Sequence, residues 1–231
     1  MFDATATSWL LRLGFLSLGL ALAVFWLVVP PGGKPRLFRG VVVAGWLGAA
    51  LALSRLEGLR DFSGFPPPLL RVLLVMLLCL VALAFSPWGR RLARALPLWL
   101  LVGFQSFRVV VELLLHSAYS HGLIGAQMTY LGRNLDIVSG ISALAMAVVL
   151  YKRALPKAWL WAWNFVGLAL LVNILVVAAL SMPTPARVFM QGPPNVFVAY
   201  WPFILLPTAM VASAWFGHML LTSRLLQRDS G

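Results

Sequence analysis

Residues 158–180 read AWLWAWNFVGLALLVNILVVAAL, twenty-three positions from Ala158 to Leu180 without one charged side chain. Wound as a helix at about 1.5 Å per residue, the stretch is about 34 Å long, enough to cross a hydrocarbon layer roughly 30 Å thick. Six other stretches come close to the same length and apolarity: Trp9–Val29, Gly40–Leu56, Pro68–Ser86, Leu96–His116, Leu135–Tyr151 and Tyr200–Leu221. The second is the weakest, because Arg39 and Arg55 bracket it and must snorkel toward headgroups. The apolar runs are continuous and show no ten-residue alternation, which excludes a membrane barrel. The expected fold is therefore all-α: one integral membrane domain over residues 1–231, a bundle of seven transmembrane helices.

Composition agrees. The 231 residues are 61% hydrophobic and 10% charged, with a mean hydropathy of +0.93. Average soluble domains carry roughly 25% charged residues. Lysine and arginine outnumber the acids 18 to 6, a net charge of +12 that by itself suggests a nucleic-acid partner. The positions point elsewhere. Lys34, Arg36 and Arg39 follow the first stretch, Arg90, Arg91 and Arg94 the third, Lys152, Arg153 and Lys157 the fifth, and Arg224 and Arg228 the seventh. Only Asp229 opposes them there. The alternate segments are close to neutral: Asp3, then Arg55/Glu57/Arg60/Asp61, then Arg133/Asp136, then Arg187. Positive charge accumulates on the cytoplasmic side of membrane proteins, so the alternation predicts an outer N-terminus and a cytoplasmic C-terminus. The basic residues then face a lipid bilayer, not nucleic acid. The first stretch lacks a basic front end and is read as a retained span, not a cleaved signal. A single cysteine, Cys79, excludes an internal disulfide and a cysteine-rich zinc site.

Some residues read as packing. Gly40, Ala44, Gly48 and Ala52 recur every fourth position and would let a neighbouring backbone come close. Pro202 and Pro207 should kink the start of the seventh span. Trp159, Trp161 and Trp163 beside Lys157 read as an interfacial anchor. No internal repeat of the transporter kind is visible.

Ionisable groups inside a span are costly and mark functional sites. The fourth span concentrates them: Gln105, Arg108, Glu112 and His116 share one face. Arg108 and Glu112, four residues apart, are expected to pair. With this span running outward, the stripe climbs to the outer surface, where Arg133, Asn134 and Asp136 enter the fifth span and Asn173 lies in the sixth. The segments Ser117–Arg133 and Ser181–Ala199 are apolar for loops and are expected to roof the cluster.

Three readings of the cluster stand side by side. It can be a structural network tying helices together. It can be an outward-facing binding site in which Arg108 or Arg133 holds a carboxylate or phosphate and Glu112 positions it. It can be catalytic, with Glu112 and His116 one turn apart and His121 or Asp136 completing a zinc-type set. The paired-histidine motif of zinc hydrolases is missing, no nucleophile signature is present and no cofactor is specified, so the sequence leans away from an enzyme. His218 reads as an interfacial histidine near the end of the seventh span. Asn164 and Asn173 lie on opposite faces of one helix, so only one of them can face the cluster. Ser139 beside Gly140 reads as helix packing, and the absence of Lys from the seventh span excludes a retinal Schiff base there.

The run Phe107-Arg108-Val109-Val110-Val111-Glu112, with Gln127-Met128-Thr129 and Gly132-Arg133-Asn134-Leu135-Asp136-Ile137, resembles a pattern in small bacterial multi-spanning inner-membrane proteins of unassigned function. The stretch Pro183–Pro207, with Pro194-Asn195 and Leu206-Pro207, is similar to the same family. The resemblance covers about half the chain, mostly C-terminal. It implies a bacterial inner membrane, names no substrate and carries over no catalytic residue.

The expected function is a membrane protein that binds or carries a small polar or anionic molecule at Gln105, Arg108, Glu112, His116, Arg133, Asn134, Asp136 and Asn173. The alternatives are a non-catalytic subunit or assembly factor of a membrane complex, with a membrane-protein partner, and a membrane enzyme using Glu112 and His116.

Overall fold

Helix α9 (Ala212–Leu226) is covered on nearly every side, and the rest of the chain is arranged around it. The computed structural model describes residues 7–29 and 36–227. The other helices are α1 (Trp9–Val28), α2 (Arg36–Arg55), α3 (Pro68–Phe85), α4 (Pro87–Ala95), α5 (Leu98–Gly103), α6 (Phe107–Ser120), α7 (Asp136–Lys152) and α8 (Lys157–Ala179). A 3-10 turn at Phe104–Ser106 joins α5 to α6, so 98–120 runs as one rod. Short 3-10 turns lie at Glu57–Arg60, Ala126–Met128 and Phe197–Ala199, and no strand forms among the described residues. Five helices are long and apolar enough to cross a membrane: Trp9–Val28, Leu37–Arg55, Pro68–Phe85, Leu98–Ser120 and Lys157–Ala179. Of the residues behind the charge alternation, Asp3, Lys34, Arg228 and Asp229 lie outside the described part of the chain.

Most of the buried residues of α9, among them Phe216, Met219, Leu220, Leu221 and Leu225, are apolar, as a central helix requires. It packs against α3, α4, α5 and α8. One core cluster gathers α3, α4, α5 and α9 around Leu77, Leu92, Val102 and Leu220. The other joins α1, the end of α6 and the loops around Phe15, Leu115, Ile124 and Phe197.

Three elements depart from the sequence reading. The basic link after α3 is itself a helix, α4. Ser86 caps it, its Oγ accepting from Gly89 N at 3.1 Å, and Pro87 takes the first position. Leu92 and Ala93 are buried against the bundle while Arg90, Arg91 and Arg94 face out. The span expected from Tyr200 is not regular helix until later: Leu206–Val211 is wound as a π segment and α9 runs on to Leu226. Pro207 has no N–H to give, and widening the turn reorganises the carbonyls around it. One of them, Thr208 O, accepts the Trp46 indole N–H at 2.7 Å, which staples α2 to the bundle.

The third departure concerns α2. Ala44, Gly48 and Ala52 are exposed and Gly40 is half-buried. A Cβ built on Gly48 would meet nothing within 4 Å. The small-residue stripe therefore does not serve packing within this chain as expected. Where close approach does occur is α6 against α7, since a Cβ on Gly140 would lie 2.8 Å from Val109 N.

Candidate functional site

Arg108 is 1% exposed and all three of its guanidinium nitrogens are engaged. Nε donates to Asp136 Oδ2 at 3.1 Å and Nη2 donates to Asp136 Oδ1, a two-point carboxylate contact. Nη1 reaches His218 Nε2 at 3.0 Å, and both Nη atoms lie 3.3 Å from Gly167 O. One side chain on α6 thus ties α7, α8 and α9 together. The expected Arg108–Glu112 pair does not form. Asp136 wins the guanidinium because it stands at the first turn of the facing helix α7, where its charge also meets the positive end of the helix dipole.

Local sequence sets that position. Asn134-Leu135-Asp136 precedes an apolar run, and Asn134 Oδ1 accepts from Asp136 N at 3.1 Å, the side-chain turn asparagine favours at a helix start. The amide of Asn134 faces the other way and donates to Glu112 Oε2 and, at 3.2 Å, to Met128 O. Glu112 is fully buried, and its second oxygen accepts from Tyr130 N at 2.6 Å. Among the described residues no Lys, Arg or His lies within ion-pair distance of it. Two carboxyls and one guanidinium are buried together, so one acid lacks a counter-charge.

The other side of Arg108 holds residues the sequence reading set aside. His218 is fully buried, and its Nδ1 lies 2.8 Å from Asn164 Oδ1. Arg108 can only donate, so His218 Nε2 accepts, and the ring is assigned as the neutral tautomer with its proton on Nδ1, donating to Asn164. Asn164 Nδ2 donates to Thr222 Oγ1 at 2.8 Å, and Thr222 Oγ1 to His218 O at 2.9 Å. The donors run in one consistent direction. Gly167 makes room for the ring: a Cβ there would lie 2.5 Å from His218 Cε1. His218 was misread because α9 continues to Leu226, which places residue 218 two turns inside the helix. The available signal was Asn164, on the face of α8 opposite Asn173.

The remaining expected residues sit at the margins. Gln105 is buried and its Nε2 donates to Ala214 O at 3.0 Å, but Oε1 has no partner among the described residues. His116 stacks on Tyr130 with ring centroids 4.8 Å apart, away from Arg108. Arg133 is exposed, 5.5 Å above the Phe189 ring, and its carbonyl accepts from Asn173 Nδ2 at 2.7 Å, so those two meet at the surface. The zinc-type set of the third reading does not assemble, since Asp136 turns to Arg108 and His121 is exposed on Ser117 O. Of the three tryptophans, Trp159 and Trp161 are exposed and Trp163 turns inward, donating to Ser142 Oγ at 3.0 Å beside His218.

The first of the two apolar loops reaches the cluster through Tyr130 N on Glu112 Oε1. Gln127 Nε2 donates to Ser181 Oγ at 3.1 Å, linking one to the other. Arg187 holds the second loop from within, on Phe189 O and Gly192 O at 3.0 Å each.

A family model described as "Domain of unknown function (DUF8737)" matches residues 66–226, and the chain belongs to that family. The match takes in every residue of the cluster and leaves out α1 and α2. No curated protein and no solved structure matches.

Proposed function

We propose that this DUF8737 member is a multi-pass membrane protein that binds or carries a small polar or anionic molecule at the Arg108 cluster. In this reading α7 and the 206–226 segment add two crossings to the five long helices, giving seven, with the N-terminus outside and the C-terminus in the cytoplasm of a bacterial inner membrane. At 17 residues α7 is short for a crossing, and a locally thinned bilayer accommodates it.

The observation that carries the reading is the two-point Arg108–Asp136 contact buried beside the uncompensated Glu112. A guanidinium so held offers the planar fork that recognises carboxylate or phosphate. Asp136 fills that fork in the closed arrangement, as the carboxylate of a cargo molecule would in an open one. Binding then means exchange of one anion for another at Arg108, with the 121–135 segment lifting from Glu112 to admit it. Arg133 stands outside as the first cation an arriving anion meets. The test is thermal stability of the purified protein with a panel of small carboxylates and phosphate monoesters. A ligand that binds only the folded state at a hundred times its Kd adds about 2.7 kcal/mol. A gain confined to anions supports the site, and no gain from any anion removes it.

A second reading, a non-catalytic subunit or assembly factor, draws on the exposed stripe of Ala44, Gly48 and Ala52. Small residues on an uncovered helix allow close approach by a helix of a partner membrane protein.

A further inference from the structure

Both oxygens of the buried Glu112 face N–H donors from one turn of chain, residues 126–134. Oε1 accepts from Tyr130 N at 2.6 Å and Oε2 accepts from Asn134 Nδ2. Within itself the turn is well bonded: Gly132 N donates to Thr129 O at 2.9 Å, Arg133 N to Gln127 O at 3.1 Å and Asn134 N to Thr129 O at 3.2 Å. A displacement would therefore carry it as one piece, and Glu112 is its polar tie to α6. Two N–H donors suit an ionised carboxyl, which only accepts. Protonation turns one oxygen into a donor, and its hydrogen then meets an N–H head on. One of the two ties must break.

Charge adds to this. Asp136 engages Arg108 in the two-point contact, which leaves Glu112 as the uncompensated charge. On α6 itself the other titratable or charged groups are Arg108, His116 and Tyr119. The elements packed against α6 bring Arg12 of α1, Asp136, Tyr151 and Lys152 of α7, and His121, Tyr130 and Arg133 of the connecting segment, while Leu206–Val211 brings none. His218 of α9 meets Arg108. None of the cations comes within ion-pair distance of Glu112. His116 stacks on Tyr130 and is the other group whose titration bears on the same turn.

We propose that Glu112 is a proton-binding site whose protonation unlatches the 126–134 turn and so couples anion entry at Arg108 to uptake of a proton. This rests on the reading of Arg108 as an anion site. A hydronium ion gives up the proton, an O–H bond forms on one Glu112 oxygen, and water remains. With Glu112 ionised, an arriving anion would join Asp136 and Glu112 against a single guanidinium. Burying unpaired charge is expensive, and the proton removes one negative charge as the cargo adds another. A metal ion does not fit the same place. Hard cations take oxygen ligands, whereas the partners of both Glu112 oxygens are N–H groups. Among the described residues no group of three or more His, Cys, Asp or Glu could hold one.

The test titrates the full chain in native lipid from about pH 9 to about pH 5, with no cargo anion added. A hydrophobic carbodiimide, which adds to protonated carboxyls, is the label, and mass spectrometry locates it. Label should appear at Glu112 as the pH falls and stay off Asp136, which is paired with Arg108. Over the same range, hydrogen-exchange protection of residues 126–134, with the intrinsic pH dependence of exchange removed, should fall about ten- to a hundred-fold. That is what one hydrogen bond to a charged group supplies. Glu112→Gln, which carries a donor in place of the hydroxyl, should show the low protection at every pH. His116→Phe keeps a ring on Tyr130 and should keep the step. If Glu112→Gln does not fold, label and protection in the parent protein decide alone. No label at Glu112, or protection in the parent that does not change with pH, overturns the proposal. So does a step that survives Glu112→Gln or is lost in His116→Phe. None of these measurements uses an anion, so their failure leaves the Arg108 reading standing, and failure of the anion panel leaves them unchanged.

Discussion

Arg108 and Asp136, 28 residues apart, meet through two hydrogen bonds inside the bundle, where the Arg108 side chain is 1% exposed and that of Asp136 12%. Removing one member of a buried pair strands the other's charge at about 3–5 kcal/mol, whereas exchanging both for apolar side chains is often neutral. Arg108→Leu should therefore destabilise the protein by that amount, and Arg108→Leu with Asp136→Leu should recover most of the loss. Unfolding followed by circular dichroism in mild detergent reads both. Additive losses in the double variant would mean that the two side chains do not depend on one another.

His218 is the member of the network most easily checked by spectroscopy. With its Nε2 accepting from Arg108 and its Nδ1 donating to Asn164, the ring at neutral pH should give the nitrogen NMR signature of the neutral Nδ1-protonated tautomer. Asn164→Leu should cost about 1–3 kcal/mol by leaving that N–H unmatched, and should broaden or shift the signal. An Nε2-protonated ring in the parent protein would break the donor chain as drawn.

Glycines separate packed from unpacked surfaces. Gly167→Ala drives a methyl to 2.5 Å from His218 and should cost about 1–3 kcal/mol, displacing the ring from Arg108. Gly48→Ala meets nothing within 4 Å and should instead stabilise α2 by up to about 1 kcal/mol. Thermal melts of the two variants should move in opposite directions.

Trp46 is the polar tie between α2 and the π segment. Trp46→Phe keeps an aromatic side chain, though a smaller one, and removes the donor to Thr208 O, at a cost of about 1–3 kcal/mol. Hydrogen exchange should rise throughout α2 and barely change in α9.

Much of this was legible in the sequence. Uncharged runs such as 158–180 could only be buried or lipid-facing, and the face bearing Gln105, Arg108 and Glu112 does turn inward. Asn134 and Asp136 ahead of an apolar run marked a helix start. What sequence spacing could not supply was which acid meets Arg108. Glu112 is near along the chain, but the choice depends on how closely α6 and α7 approach, and Gly140 decides that. His218 was missed for a related reason: its depth depends on how far α9 extends, and Pro207 delays the regular helix while nothing stops it before Leu226. The stripe on α2 shows the converse limit. Small residues at regular spacing indicate a surface that another helix can approach, without indicating whether that helix belongs to the same chain.

The claim that Arg108 is the centre of an anion site is tested most directly by native mass spectrometry of protein released gently from its own membrane. The comparison is with the double variant Arg108→Leu and Asp136→Leu, which should remain folded. The account predicts a small anionic mass retained by the parent protein and absent from the variant. The same mass on both, or a small mass on neither, would contradict it.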